Sequence, residues 1–438
     1  MLLNAADKAL WRLALPMIFS NITVPLLGLV DTAVIGHLDS PVYLGGVAVG
    51  ATATSFLFML LLFLRMSTTG LTAQAWGAKD PQRLARALVQ PLALALGAGV
   101  LIILLRLPLI DLALHIVGGS EAVLEQARRF LEIRWLSAPA SLANLVLLGW
   151  LLGVQYARAP VILLVVGNLL NIVLDLWLVM GLRMNVQGAA LATVTAEYAT
   201  LIIGLLMAKR VLTLRGVSLA MLKNAWRGDL RRLLALNRDI MLRSLLLQLC
   251  FGALTVFGAR LGSDIVAVNA VLMTMLTFTA YALDGFAYAV EAHSGQAYGA
   301  RDGSQLLEVW RAACRQSGMV ALAFALIYSL AGQYIIALLT SLPSLQQLAD
   351  RYLIWQTILP VVGVWCYLLD GMFIGATRGA EMRNSMAVAA AGFAVTLLTL
   401  PVLGNHGLWL ALGVFLALRG LSLALIWRRH WRSGTWFS

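Results

Sequence analysis

Three polar side chains stand out against apolar surroundings. Asp31 and Asp175 lie inside long apolar runs, and Asn171 precedes Asp175 by one helical turn, so the two share a helix face. An acid within a membrane-spanning helix costs about 2.5–3.5 kcal/mol on insertion scales, so it needs a reason to be there. A carboxylate taken out of water holds a proton more tightly, and a second one nearby tightens one of the two further. Asp31 and Asp175, with Asn171 as a hydrogen-bonding neighbour, can therefore hold a proton and release it when water or a cation arrives. The alternative is that both acids are structural, capped by neighbours such as Thr32.

The second half of the chain carries Asp284 and Glu291, seven residues apart on one helix face, and Asp370 two runs later. Arg65 and Arg243 fall at a similar depth, and opposite charges at one depth tend to pair. Two arrangements follow. Arg65 reaches an acid of the eighth or tenth run and forms an ion-paired cytoplasmic gate, or the charges pair within each half, for example Arg243 with Asp284. Other chemistry is missing. The glycine loops near 77 and 299 lack GxxxxGK[ST], so they are turns rather than nucleotide sites. The five histidines form no HExxH, and only His293 sits near an acid, Glu291. No DDxxD is present. Cys250, Cys314 and Cys366 lie in apolar runs and read as small core residues. Neither a cofactor nor a metal site is expected.

These side chains must be positioned by membrane helices. Of 438 residues 61% are hydrophobic and 12% charged, against about 25% charged in soluble domains. Apolar runs lie near 10–36, 44–70, 88–112, 130–154, 159–182 and 186–207, then 238–261, 266–292, 312–332, 351–375, 385–403 and 406–427. Each suits one crossing of about 20 residues. The third contains Arg106 and Pro108 near its end, so its end is the least defined. The N-terminus, MLLNAADKALW, lacks a cleavable signal pattern, so the first run is expected to stay as a helix. With the N-terminus in the cytoplasm, 22 Lys and Arg fall on the cytoplasmic side and 6 on the other. That bias predicts an inner-membrane, multi-pass protein with both termini cytoplasmic. It also accounts for the net charge of +12 without nucleic acid. Trp11, Trp177, Trp310 and Trp427 fall at run ends, as interfacial anchors do.

An internal repeat organises the runs. TAQAWGAKD at 72–80 returns as SGQAYGARD at 294–302, an offset of 222 residues. The same offset relates Gly36 to Gly258 and Gly153 to Gly375. Each copy holds six runs, an even number, so both enter the membrane from the same side. The expected fold is all-α and integral to the membrane: twelve helices in two parallel six-helix lobes, related by a pseudo-two-fold axis along the membrane normal. The lobes are residues 1–207 and 238–438, joined by a basic cytoplasmic linker at 208–237.

LALPMIFSN…LVDTAVIGHL at 13–38, the paired glycine loops and NIVLD at 171–175 resemble the multidrug and toxic compound extrusion (MATE) family, and within it the DinF-like branch. The resemblance covers essentially the whole chain. It implies twelve helices around a central cleft and export of small organic, often cationic, compounds in exchange for protons or sodium. In the DinF branch it also implies an association with the DNA-damage response. It assigns proton coupling to Asp31, with Asn171 and Asp175 as its partners. Pro16 matches a family proline where the first helix can bend. Pro16 and Pro25 free the carbonyls of Arg12 and Asn21, so the helix either switches between straight and bent forms or carries a fixed kink. The sodium-coupled branch carries a glutamate in the seventh helix, where RDIMLRSLLLQLCFG offers only Gln248. This favours protons, while a sodium site at Asp31, Asn171 and Asp175 stays open.

The function expected is secondary active efflux by a monomer in contact with membrane lipid, through protonation of Asp31 and alternating access. A flippase for lipid-linked precursors is the alternative, with a sodium-coupled exporter or a membrane-embedded lipid enzyme behind it. A flippase calls for a basic cleft to hold pyrophosphate, and the expected outer cluster is acidic.

Overall fold

The computed structural model describes all residues except Met1, Leu2, His37, Asp39, Trp226 and Asp229, and the side chains of residues 23–33 are also outside the described set. The side chains of Asp31 and Pro25 therefore lie outside the described residues. The backbone is almost wholly helical, and no strand occurs among the described residues.

Among the described residues, twelve long helices follow in order. The first is α1 (Ala5–Gly36), unbroken through Pro16 and Pro25. Next come α2 (Pro41–Gly77), α3 (Pro81–Leu104), α4 (Glu121–Gly153), α5 (Arg158–Gly181) and α6 (Asn185–Leu214). The second set is α7 (Leu230–Leu261), α8 (Ser263–Ala300), α9 (Gly303–Leu339), α10 (Pro343–Gly375), α11 (Gly379–Leu403) and α12 (Asn405–Ser433). Among the described residues, the eleven from α2 to α12 are long and apolar enough to cross a membrane. Each expected run lies on one of the twelve helices, and the third is cut short. There α3 stops at Leu104 and a separate helix runs Arg106–Val117. Pro108 has no N–H for the carbonyl of Leu104 and its ring crowds that carbonyl, which favours a break here.

The repeat is written into the backbone. After α2, Lys79 adopts a left-handed conformation at φ 53° and the Asp80 N–H donates to the Ala75 carbonyl at 3.2 Å. The Asp80 side chain then caps α3, accepting from the N–H groups of Gln82 and Arg83. After α8 the turn is the same: Arg301 at φ 54°, Asp302 N–H to Ala297 carbonyl at 3.0 Å, and the Asp302 side chain capping α9 through the Gln305 N–H. The glycine loops are thus left-handed turns followed by an Asp cap. Gln155 after α4 and Thr377 after α10, also 222 apart, both turn left-handed as well.

By its contacts the chain divides into two units, residues 22–234 and residues 1–21 with 235–438. In the first unit α4 is the central helix, packed on α2, α3 and α6. Its Gly149 lies so close to the backbone carbonyl of Arg65 on α2 that a Cβ there would collide with it. Small residues let membrane helices approach this closely. In the second unit α10 is central, packed on α8, α9 and α12. Its Gly371 meets the backbone carbonyl of Ala287 on α8 in the same way. Each residue of this second contact stands 222 places after its counterpart in the first.

The first five turns of α1 pack with the second unit, which differs from the sequence boundary that kept residues 1–207 together. The Trp11 indole N–H donates to Gln316 Oε1 at 2.9 Å, and its ring stands edge-on to Phe286 at 4.9 Å between centroids. His293 Nε2 lies 3.1 Å from the Ala9 carbonyl, Arg315 pairs with Asp7 at 3.0 Å, and Asn21 Nδ2 donates to the Tyr281 carbonyl at 3.1 Å. A repeat found by sequence alignment does not register these long-range contacts.

Candidate functional site

In the first unit α5 holds Asn171 and Asp175 one turn apart, with side chains 1% and 0% exposed. Asn171 Nδ2 reaches Thr193 Oγ1 on α6 at 3.5 Å, and that hydroxyl donates to the Ala189 carbonyl at 3.2 Å. Asn171 Oδ1 is buried without a hydrogen-bond partner. Such an acceptor is costly to leave unmet. Directly after Asp175 the helix widens into a π-helical turn, Leu176–Gly181. Insertions of this kind are frequent at functional sites. The arrangement thus has a buried acid, an amide with a free acceptor and a locally loosened helix. Asp31 is the third expected member, and its side chain lies outside the described residues.

The same unit contains an acid the sequence reading passed over. Glu197 lies mid-helix on α6. Its Oε2 accepts from Ser141 Oγ on α4 at 2.5 Å, and its Oε1 lies 3.5 Å from Arg134 Nη2. Its backbone carbonyl accepts from Asn144 Nδ2 at 3.2 Å. Arg134 also donates to Ser137 and lies over the Phe58 ring, 5.5 Å from the centroid. Here α4 tightens into a short 3₁₀ stretch, Trp135–Ser137. The rule that singled out Asp175, an acid within an apolar run, applies equally to Glu197.

The second unit resolves the pairing of its charges. Arg243 on α7 donates from Nη2 to Asp370 Oδ2 on α10 at 2.5 Å, and Arg419 on α12 donates to the same oxygen. All three side chains are buried. The pairing offered as an example, Arg243 with Asp284, is corrected: Arg243 pairs with Asp370, because α7 and α12 bring both guanidinium groups onto α10. Arg419 was not anticipated. It was one of four cations within spans, and depth alone does not choose among helices. Glu291 is buried on α8, and its backbone carbonyl abuts Gly375 of α10. Asp284 is half-buried on the same helix. In the first unit, buried Arg65 donates to Thr69 Oγ1 of its own helix at 3.3 Å. Among the described residues no group of three His, Cys, Asp or Glu side chains is placed to hold a metal ion.

Long apolar helices, a repeated helix-crossing geometry and acids buried within the spans define a multi-pass membrane protein. The chain belongs to the multidrug and toxic compound extrusion family: the MatE family model matches residues 16–177 and again 240–403, one match for each half of the repeat. DNA damage-inducible protein F of Escherichia coli (strain K12) is 87% identical over 436 residues, covering 100% of this chain and 95% of that protein. The probable multidrug resistance protein NorM of Acinetobacter baylyi is 23% identical over 431 residues, covering 96% and 94%. A MATE crystal structure in the bent conformation superposes with a TM-score of 0.85 at 23% identity, covering 99% of this chain and 96% of the other. One in the straight conformation gives 0.84 at 23% identity, covering 99% and 97%. These two likenesses establish the fold.

Proposed function

We propose that the chain exports small, lipophilic, often cationic molecules across a bacterial inner membrane in exchange for protons, with both termini in the cytoplasm. The coupling site is Asp31, Asn171 and Asp175. The observation that carries this reading is the burial of Asp175 and Asn171 on one face of α5, with an unmet acceptor on Asn171. A buried carboxyl group of this kind can exchange a proton for a cation, and the π-helical turn beside it provides local freedom to move. The names of the relatives, a multidrug resistance protein and a DNA damage-inducible protein, agree with a detoxifying role in stressed cells. The two described members of the site are an acid, Asp175, and a neutral amide, Asn171. They suit a cation better than the pyrophosphate a flippase would carry.

The test is uptake of a fluorescent organic cation into proteoliposomes under imposed gradients. A pH gradient should drive transport and Asp31→Asn or Asp175→Asn should abolish it. Transport driven by sodium alone would replace the proton with sodium at the same site. Undiminished transport by both variants would remove these residues from the mechanism.

A further inference from the structure

Within the first unit an open cleft lies between the C-terminal half of α2, the start of α3 and the first turn of α7. Arg83, Arg86 and Arg232 line it with Gln90, and Leu71 and Leu233 form apolar wall. Among the described residues no carboxylate lines it. Asp80 acts on Arg83 through space, but its carboxylate caps α3 through the N–H groups of Gln82 and Arg83. Arg232 donates to Gln74 Oε1 at 3.2 Å, a neutral acceptor. Arg86 Nε is buried with no hydrogen-bond partner. The backbone of Gly228 presses on the Arg86 guanidinium so closely that a side chain there would strike it, and φ of +145° also calls for glycine. At Gly228 the linker thus covers the Arg86 guanidinium.

Three guanidinium groups around one partly desolvated cleft repel one another. The repeat does not impose this. At the places 222 residues beyond Arg83 and Arg86 the chain carries Gln305 and Glu308. We propose that the cleft binds a phosphate group, held by the arginine forks of Arg83 and Arg86, either on an anionic phospholipid or as free phosphate. Arginine is suited to phosphate because its planar fork gives two parallel charge-assisted hydrogen bonds. Basic pockets between helices at a membrane's cytoplasmic face hold anionic headgroups in the same way, and apolar Leu71 and Leu233 beside the arginines suit the start of an acyl chain. The proposal does not depend on the transport mechanism.

The test uses the full chain, delipidated in neutral detergent. Native mass spectrometry follows retention of phosphatidylglycerol against phosphatidylcholine, and calorimetry follows inorganic phosphate against chloride. Wild-type protein should retain phosphatidylglycerol, and the R83Q/R86Q double variant should bind it at least about tenfold more weakly, the scale expected for loss of charge-assisted pairs. R83K/R86K should recover part of the affinity. Inorganic phosphate bound by the wild type and lost in the double variant, without selective lipid retention, assigns the site to a soluble anion. Binding of neither probe, or equal binding by wild type and double variant, overturns the proposal. Circular dichroism checks that the double variant is folded; if it is not, Arg83→Gln alone is compared in the same assays.

Discussion

Arg243 and Asp370 join α7 to α10 through a buried charge-assisted hydrogen bond of 2.5 Å, and Arg419 closes on the same carboxylate oxygen from α12. Two positive groups share one negative group, so the carboxylate compensates both. Replacing it strands two desolvated guanidinium groups. Asp370→Asn is expected to cost about 3–5 kcal/mol, the range for removing one partner of a buried pair. The check is thermal unfolding in detergent, with Arg243→Met/Asp370→Leu alongside. The double variant still leaves Arg419 without its anion, so it should recover only part of the loss. A single variant as stable as the wild type would show that the triad is already hydrated.

The close helix crossings give a prediction of a different kind. Gly149 and Gly371 face the backbone carbonyls of Arg65 and Ala287, which cannot move aside as a side-chain tip could. Alanine at either place forces the helices apart. Overpacking of this kind costs about 1–3 kcal/mol. Because the contacts are equivalent, G149A and G371A should lower the unfolding midpoint by similar amounts. Control replacements at Gly97 and Gly252, where nothing lies within 4 Å of an added Cβ, should be close to neutral.

The helices, the repeat and the polar face of Asn171 and Asp175 were legible in the sequence because each follows from local pattern: an apolar run, a recurring GAKD or GARD turn, a four-residue spacing. The break at Leu105 was not read, since the run near 88–112 reads as one crossing, although Arg106 and Pro108 lie within it. What local pattern does not carry is the choice of partner across helices. Arg419, far along the chain from Asp370 and Arg243, meets them only because α10 is central to its unit. The docking of Trp11 and Asp7 on α8 and α9 is equally non-local. The π-helical turn after Asp175 leaves no mark in the periodicity, because one widened turn shifts the register within a run that is apolar on most faces.

For the proposed coupling site, Asp175→Asn keeps the shape of the side chain and removes its ability to ionise. Folding and membrane insertion should be preserved, and proton-driven export should fall by about tenfold or more, a change of about 1.4 kcal/mol or more in barrier. Asn171→Ala should be milder, because it removes the bond to Thr193 and the unmet acceptor together. Transport is read in proteoliposomes and folding by size-exclusion and melting. Equal loss of melting temperature and of transport in Asp175→Asn would assign the acid a structural role.

Glu197 allows charge and hydrogen bonding to be separated. Its carboxylate accepts from Ser141 at 2.5 Å and faces Arg134 at 3.5 Å, with both charged side chains largely removed from solvent. Glu197→Gln keeps an acceptor for Ser141 but leaves Arg134 without its anion. Glu197→Leu removes both interactions and should cost more. If the charge pair dominates, Arg134→Met should rescue most of the loss in Glu197→Gln, since an uncompensated buried cation is the main penalty in that background. If the Ser141 bond dominates, Glu197→Gln should melt close to the wild type and Ser141→Ala should be as damaging as Glu197→Leu. The short separation to Ser141 against the long one to Arg134, together with the Ser137 and Phe58 contacts that Arg134 retains, favours the second pattern. A double-mutant cycle on Ser141 and Glu197 should therefore give a larger coupling energy than one on Arg134 and Glu197.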